Sequence, residues 1–343
     1  MKIAIITRDD YRSPRILADS LKLRLEHQNI KVEIFYDPAF LTRLVSVKDS
    51  KLRFHFWLKR KLNGYLKDAA VLKKLKRFDI IIISECIPNA FLRNLYNIEE
   101  FRKIIQKPIG LYEVYYLGNA PTQVNFLEES RNPLSERFNF YLSITDVTEI
   151  KQQSKGNWYP IGIKAESWNL KPFPKNELVA IIDFLHEGNE EFRQVQIRAL
   201  GKAGIKYISL EKPYTIEEIR RIYQQGAIYF MQSFEAFGLP ILECLCCGCQ
   251  IFTPESWWPM GWRLNENPAI HGDGVLPDCF SVYKSEEQLV TELISFKEKY
   301  DLTETPKKVF ETFLEHYPEF YFGNEAELQR FFKCIKINAF NAS

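Results

Sequence analysis

Residues 227–248 read Ala227-Ile-Tyr-Phe-Met-Gln-Ser-Phe-Glu-Ala-Phe-Gly-Leu-Pro-Ile-Leu-Glu-Cys-Leu-Cys-Cys-Gly248. An apolar, partly β-favouring run meets a Phe-Gly-Leu-Pro turn and then a short apolar helix. Pro240 suits the first helical position, whose amide has no partner, and Gly248 suits the left-handed position past the helix end. A strand therefore hands over to a helix, with Gly238 just before the helix N-terminus. Free amides there, with the positive end of the helix dipole, hold an anion such as a phosphate, and glycine lets it approach closely. Glu243 falls one turn inside the helix and Glu235 on the incoming loop, so their carboxylates flank that anion position without facing each other. Two acceptors around a phosphate cradle suit a ligand with hydroxyl groups on both sides of a phosphate centre. The plainer alternative leaves Glu235 solvated and has Glu243 serve the helix dipole, as acidic residues in a first turn do.

Working outward, short aliphatic runs alternate with amphipathic helical stretches, the pattern of parallel sheets covered on both faces. In the first half the expected strands are Lys2–Thr7, Lys31–Tyr36, Asp79–Ser84, Pro108–Tyr112 and Tyr141–Ile144, with helices over Pro14–His27 and Asn89–Ile105. Around 156–176 three prolines and few periodic apolar positions read as a linker. Alternation then restarts with strands Leu178–Phe184, Lys206–Leu210, Ala227–Met231 and Gln250–Thr253, and helices Glu190–Ala203, Ile216–Gln225 and Pro240–Cys247. The expected fold is α/β, with two Rossmann-like domains facing each other across a cleft: 1–160, then 161–322, then a C-terminal helix in 323–343 that packs back toward the first domain. Ligands of such sheets bind beyond the carboxyl ends of the strands.

Composition narrows the function. The 343 residues suffice for two cores, and 46 basic against 44 acidic side chains give no global signal for nucleic acid, so no specific nucleic acid partner is expected. The opening apolar run is too short for a signal peptide, and no segment has membrane-spanning length, so a cytoplasmic, soluble protein is expected. Seven cysteines, an odd number, read as free thiols. Cys244, Cys246, Cys247 and Cys249 lie densely, but on one short helix they point around its circumference and cannot converge on a tetrahedral metal. They read as packing groups, and the five scattered histidines, His186 and His271 among them, form no ligand spacing.

The run Glu-Ala-Phe-Gly-Leu-Pro-Ile-Leu-Glu at 235–243 resembles the Glu-x7-Glu motif of retaining GT-B glycosyltransferases, especially glycosyltransferase family 4. The likeness extends to Thr215-Ile-Glu-Glu-Ile-Arg-Arg-Ile-Tyr-Gln-Gln-Gly-Ala upstream, and to Tyr159-Pro-Ile-Gly-Ile, which is similar to an interdomain Pro-Asn-Gly-Val turn. It covers about 159–253, and elsewhere it is architectural only. What the resemblance implies is a donor site in the second domain and an acceptor domain before it. Glu235 would bind hydroxyls of the donor sugar, the amides of Phe237, Gly238 and Leu239 would meet sugar and phosphate, and Glu243 would hold the ribose. Lys212 and Tyr214 would lie near the base. Transfer with retention from a nucleotide sugar to a glycan or lipid-linked acceptor, as in polysaccharide or lipopolysaccharide synthesis, is implied, with no metal and no cofactor.

The chain also departs from that family. An arginine at the end of the second domain's first strand and a lysine soon after usually neutralise the diphosphate, whereas here the region reads Ile-Ile-Asp-Phe-Leu-His-Glu-Gly-Asn-Glu-Glu-Phe-Arg, with Arg193 as its one basic group. Glu113 stands where the family often has a histidine. Arg8, Arg12 and Arg15 on the first loop are candidates for the missing charge, and equally read as surface arginines. Two alternatives stay open: a non-catalytic protein that binds a nucleotide sugar or glycan, and a nucleotide-sugar epimerase. Finally, 48–77 carries eleven Lys or Arg against Asp49 and Asp68, interleaved with Phe54, Phe56, Trp57, Leu58, Leu62, Tyr65 and Leu66. Such a stretch suits an anionic membrane surface, which would place the protein peripherally at the inner face, or single-stranded nucleic acid, or a solvated helix face packed on the first domain.

Overall fold

The computed structural model describes residues 1–7, 12–36, 70–85, 98–113, 138–145, 157–232, 235, 237–257, 259–262, 264 and 275–336. Arg8, His271 and most of the basic stretch, 48–69, lie outside the described residues. The chain forms two compact units, one of residues 1–163 and 324–343, the other of 164–323.

In the first unit, β1 (Lys2–Thr7), β2 (Lys31–Tyr36), β3 (Ile80–Glu85), β4 (Ile109–Glu113), β5 (Phe140–Ser143) and β6 (Trp158–Pro160) form one sheet in the order β2-β1-β3-β4-β5-β6. Every pairing is parallel. The aliphatic runs expected as strands fall within this sheet, because strands buried on both faces are apolar at consecutive positions. The residues read as a linker contain a further strand, β6, and a 3-10 turn at Ala165–Trp168. One face of the sheet carries Ala4, Ile6, Ile81, Ile83, Ile109, Leu111, Tyr141 and Trp158, packed with Leu75, Phe101 and Ile105. The last two belong to α2 (Ile98–Ile105).

On the other face lie α1 (Arg12–Glu26), against β1 to β3, and α9 (Glu325–Lys336), against β6. Phe331 of α9 packs on Phe140 and Tyr159. Gly110 makes room for this layer, since a Cβ there would stand 2.0 Å from the Phe140 ring. Buried Arg24 donates to the Gly162 carbonyl, as does Tyr112, and lies 3.8 Å from Glu325. Burial lowers the Arg24 pKa, and the Glu325 carboxylate opposes that shift. From the basic stretch, Lys74 lies over the Phe35 ring and pairs with Glu33.

The second unit holds β7 (Val179–Ile182), β8 (Lys206–Ser209), β9 (Ile228–Phe230), β10 (Gln250–Pro254) and β11 (Phe280–Tyr283), all parallel, in the order β11-β10-β9-β7-β8. Helices α3 (Glu190–Ala203) and α6 (Glu286–Lys299) cover one face, with Ala199, Leu200, Leu289 and Leu293 packed on Ala180, Ile182, Ile228 and Phe230. Helices α4 (Ile216–Gln225) and α5 (Leu239–Cys246) cover the other, and α7 (Glu304–His316) and α8 (Pro318–Tyr321) follow.

The ends of α4 and α5 share one buried cation. Lys175 is 4% exposed, and its ammonium donates to the carbonyls of Gln224 (2.7 Å) and Cys247 (2.8 Å). Last-turn carbonyls carry the negative end of the helix dipole, so this one charge satisfies both helices. Lys175→Met leaves two buried carbonyls without a donor and is expected to cost about 3 kcal/mol, the scale of two hydrogen bonds to a charged group. Chemical denaturation of the variant measures this, and a loss under about 0.5 kcal/mol, the size of an ordinary surface substitution, contradicts it.

Candidate functional site

Strand order reverses between β7 and β9: the chain runs outward from β7 to β8 and returns on the other side to β9. At such a switch point the loops leave in opposite directions and open a crevice beyond the strands' carboxyl ends. The loop after β9 carries Glu235, Phe237 and Gly238, so the quoted stretch lies at this crevice.

Gly238 is the N-cap of α5, with φ 70° and ψ 102°, and Leu239 rather than Pro240 is the first helical residue. A Cβ at Gly238 would stand 2.9 Å from Ile241 Cδ1 and 3.4 Å from Glu235 Cβ, in a region L side chains rarely adopt. As a glycine, Gly238 brings no side-chain cap of its own to the helix start. Glu235 is half-buried on the incoming loop, while Ser233, Phe234 and Ala236 lie outside the described residues. Phe237 is fully buried, stacked on Trp262 with ring centroids 4.9 Å apart and edge-on to Phe320. Trp262 Nε1 donates to the Phe237 carbonyl at 2.5 Å, and the Tyr317 hydroxyl donates to the Trp262 carbonyl. The turn is therefore held from behind by an aromatic cluster drawn from the chain after 259.

Glu243 is buried. It is 1% exposed, and its Oε1 accepts from Arg220 Nε at 2.8 Å. Arg193, at the start of α3, is also buried; it donates to Ser209 Oγ and lies 3.9 Å from Glu211, so its charge is engaged at the end of β8. Lys212 lies over the ring of Tyr214, and Tyr214 meets Phe184 at 6.1 Å. These three side chains gather at the carboxyl ends of β7 and β8. In the first unit, Glu113 ends β4 and Arg12 begins α1.

Several residues at the crevice carry no motif. Asp183, directly after β7, is buried beside Tyr229, whose hydroxyl is pushed well above its ordinary pKa by burial and then by that carboxylate. Asn189 Nδ2 donates to the Gln232 carbonyl at 2.7 Å, and Gln196 Nε2 to the Met231 carbonyl at 3.1 Å. Gln232 Nε2 donates to Gln196 Oε1. These amides fix the backbone as it leaves β9. Asn189, a helix-start residue type just before α3, was findable from sequence; Gln196, inside the helix, was not.

Cys244, Cys246, Cys247 and Cys249, on and directly after α5, are buried. Burial pushes the thiols of Cys244, Cys246 and Cys247 well up, which makes them poor nucleophiles. Cys249 donates to the carbonyls of Tyr223 and Gly226.

Solved structures match nearly the whole chain. An alpha-glucosyltransferase in complex with UDP and a 13-mer DNA containing a central A:G mismatch superposes with a TM-score of 0.55 at 12% identity, covering 98% of this chain and 100% of that one. The catalytic domain of Starch Synthase IV from Arabidopsis thaliana, bound to ADP and acarbose, gives 0.56 at 12% identity over 97% and 99%. A ugt transferase from Siraitia grosvenorii in complex with UDP gives 0.50 at 12% identity over 97% and 100%. Neither a scan of protein-family models nor a search of curated proteins found a match. Two parallel doubly wound sheets, of six and five strands among the described residues, matched over nearly the whole chain by glycosyltransferase structures, give this chain the GT-B fold.

Proposed function

We propose that this chain is a retaining glycosyltransferase that binds a nucleotide sugar at the carboxyl edge of its second sheet and passes the sugar to a glycan or lipid-linked acceptor. The observation that carries this reading is the turn between β9 and α5: Glu235, a glycine in the left-handed region at the N-cap, the helix start that follows it, and Glu243, all at the switch point of a GT-B fold. UDP or ADP in the three matched structures supports a nucleoside diphosphate as the common part of the ligand.

In this reading the amides at Gly238 and Leu239 take the phosphates. Glu235 accepts hydrogen bonds from the donor sugar and Glu243 from the ribose. Phe184, Tyr214 and Lys212 offer aromatic faces and a cation to the base. The protein orients the donor and stabilises the departing diphosphate, with no protein nucleophile and no metal.

A thermal-shift panel of UDP, ADP, GDP and TDP tests the site, because a ligand selective for the native state raises Tm. At least one is expected to stabilise the protein. Glu243→Ala is then expected to lose about 1.5–3 kcal/mol of nucleotide affinity, the value of a hydrogen bond to a charged group. Four nucleotides without effect would remove the reading. A second reading, a nucleotide-sugar binder without turnover, is favoured by one observation: Asp183, directly after β7, is buried, and the charge of Arg193 is engaged by Ser209 and Glu211. Binding without release of diphosphate would select it.

A further inference from the structure

We infer that Arg220 is the positioning residue for Glu243, holding its carboxylate in the orientation that meets the nucleotide; this rests on the donor-site reading above. A carboxylate 1% exposed cannot be oriented by bulk water and needs a fixed donor. Arg220 supplies one, with Nε 2.8 Å from Oε1. Its own position is set twice over. The guanidinium carbon lies 5.1 Å from the Trp168 ring centroid, a cation over an aromatic face. The backbone of α4 is fixed by a complete capping box one turn earlier, in which Glu218 N donates to Thr215 Oγ1 (3.2 Å) and Thr215 N to Glu218 Oε2 (2.8 Å). Trp168, Arg220 and Glu243 thus tie the 165–168 turn, α4 and α5 together within the second unit.

The planar guanidinium matters as well as its charge. Its Nε reaches the carboxylate while its central carbon lies over the Trp168 ring, and a lysine, with a single ammonium, cannot do both. In a positioning role Arg220 contributes to nucleotide affinity only through Glu243, which separates it from a direct ligand and from a merely structural group.

The test is a double-mutant cycle, read by calorimetry with UDP and ADP. Glu243→Gln and Arg220→Gln are each expected to weaken binding about tenfold, and the double variant no more than Glu243→Gln alone, since residues that act as one unit are not additive. Arg220→Lys is expected to fall between wild type and Arg220→Gln, and it carries the same cycle if Arg220→Gln does not fold by circular dichroism. Unchanged affinity in Arg220→Gln beside a loss in Glu243→Gln would overturn the inference and leave the donor-site reading standing. Losses that multiply in the double variant would also overturn it. Unchanged affinity in Glu243→Gln would remove the role of Glu243 itself, and that of Arg220 with it.

Discussion

Glu235→Ala is expected to lower sugar transfer by about 10²-fold, the scale of a misplaced reacting group, while leaving affinity for the free nucleoside diphosphate at the wild-type value. The asymmetry follows from place. Glu235 is half-buried on the loop that enters the Gly238 turn, before the helix start, whereas Glu243 lies within the helix. In the proposed donor site the Glu235 carboxylate meets the sugar, a part of the donor that the diphosphate lacks. Interactions that orient the reacting end appear in the rate, and those on the nucleotide appear in binding. Steady-state kinetics with the nucleotide sugar, beside calorimetry with the diphosphate, separate the two. Equal losses in both would mean that Glu235 holds the nucleotide or the loop rather than the sugar.

Trp262→Ala is expected to destabilise the second unit by about 3–5 kcal/mol, the range for truncating a buried tryptophan. Trp262 is fully buried and meets Phe237, Phe280, Phe313, Tyr317 and Phe320, so its removal empties the centre of a cluster that draws on the 3-10 turn Met260–Trp262, β11, α7 and α8. Tm should fall by roughly 10 °C for a unit of this size. Trp262→Phe refines the expectation. It keeps most of the ring packing but removes the Nε1 donor to the Phe237 carbonyl, which frees the backbone one residue before Gly238. That variant is expected to stay folded and to weaken diphosphate binding, because the amides of the turn are no longer held in place. A Trp262→Phe protein with wild-type affinity would show that the turn holds its shape without this bond.

Much of the architecture was legible because fully buried parallel strands announce themselves. Ile3-Ala4-Ile5-Ile6 and Ile80-Ile81-Ile82-Ile83 are apolar at consecutive positions, and each is buried on both faces of the first sheet. β6 hides because it is three residues long, ends in Pro160, and is followed by Gly162. β11, at the sheet edge, buries Phe280 and Tyr283 with half-buried Ser281 and Val282 between them, and gives no aliphatic run. The strand, turn and helix around Gly238 were readable from glycine, proline and apolar residues, all local signals. Partners set by packing were not. Arg220 reaches Glu243 from another helix, and Trp262 reaches Phe237 from a turn 25 residues on; nothing in either local sequence records the match.

The most direct measurement is release of nucleoside diphosphate from a panel of nucleotide sugars, with the anomeric configuration of the transferred sugar read by NMR. Release from at least one donor is expected, with the donor's anomeric configuration kept in the product and the signal about 10²-fold lower in Glu235→Ala. Thermal stabilisation by a diphosphate with no release from any donor would contradict catalysis and leave a binding protein on this fold.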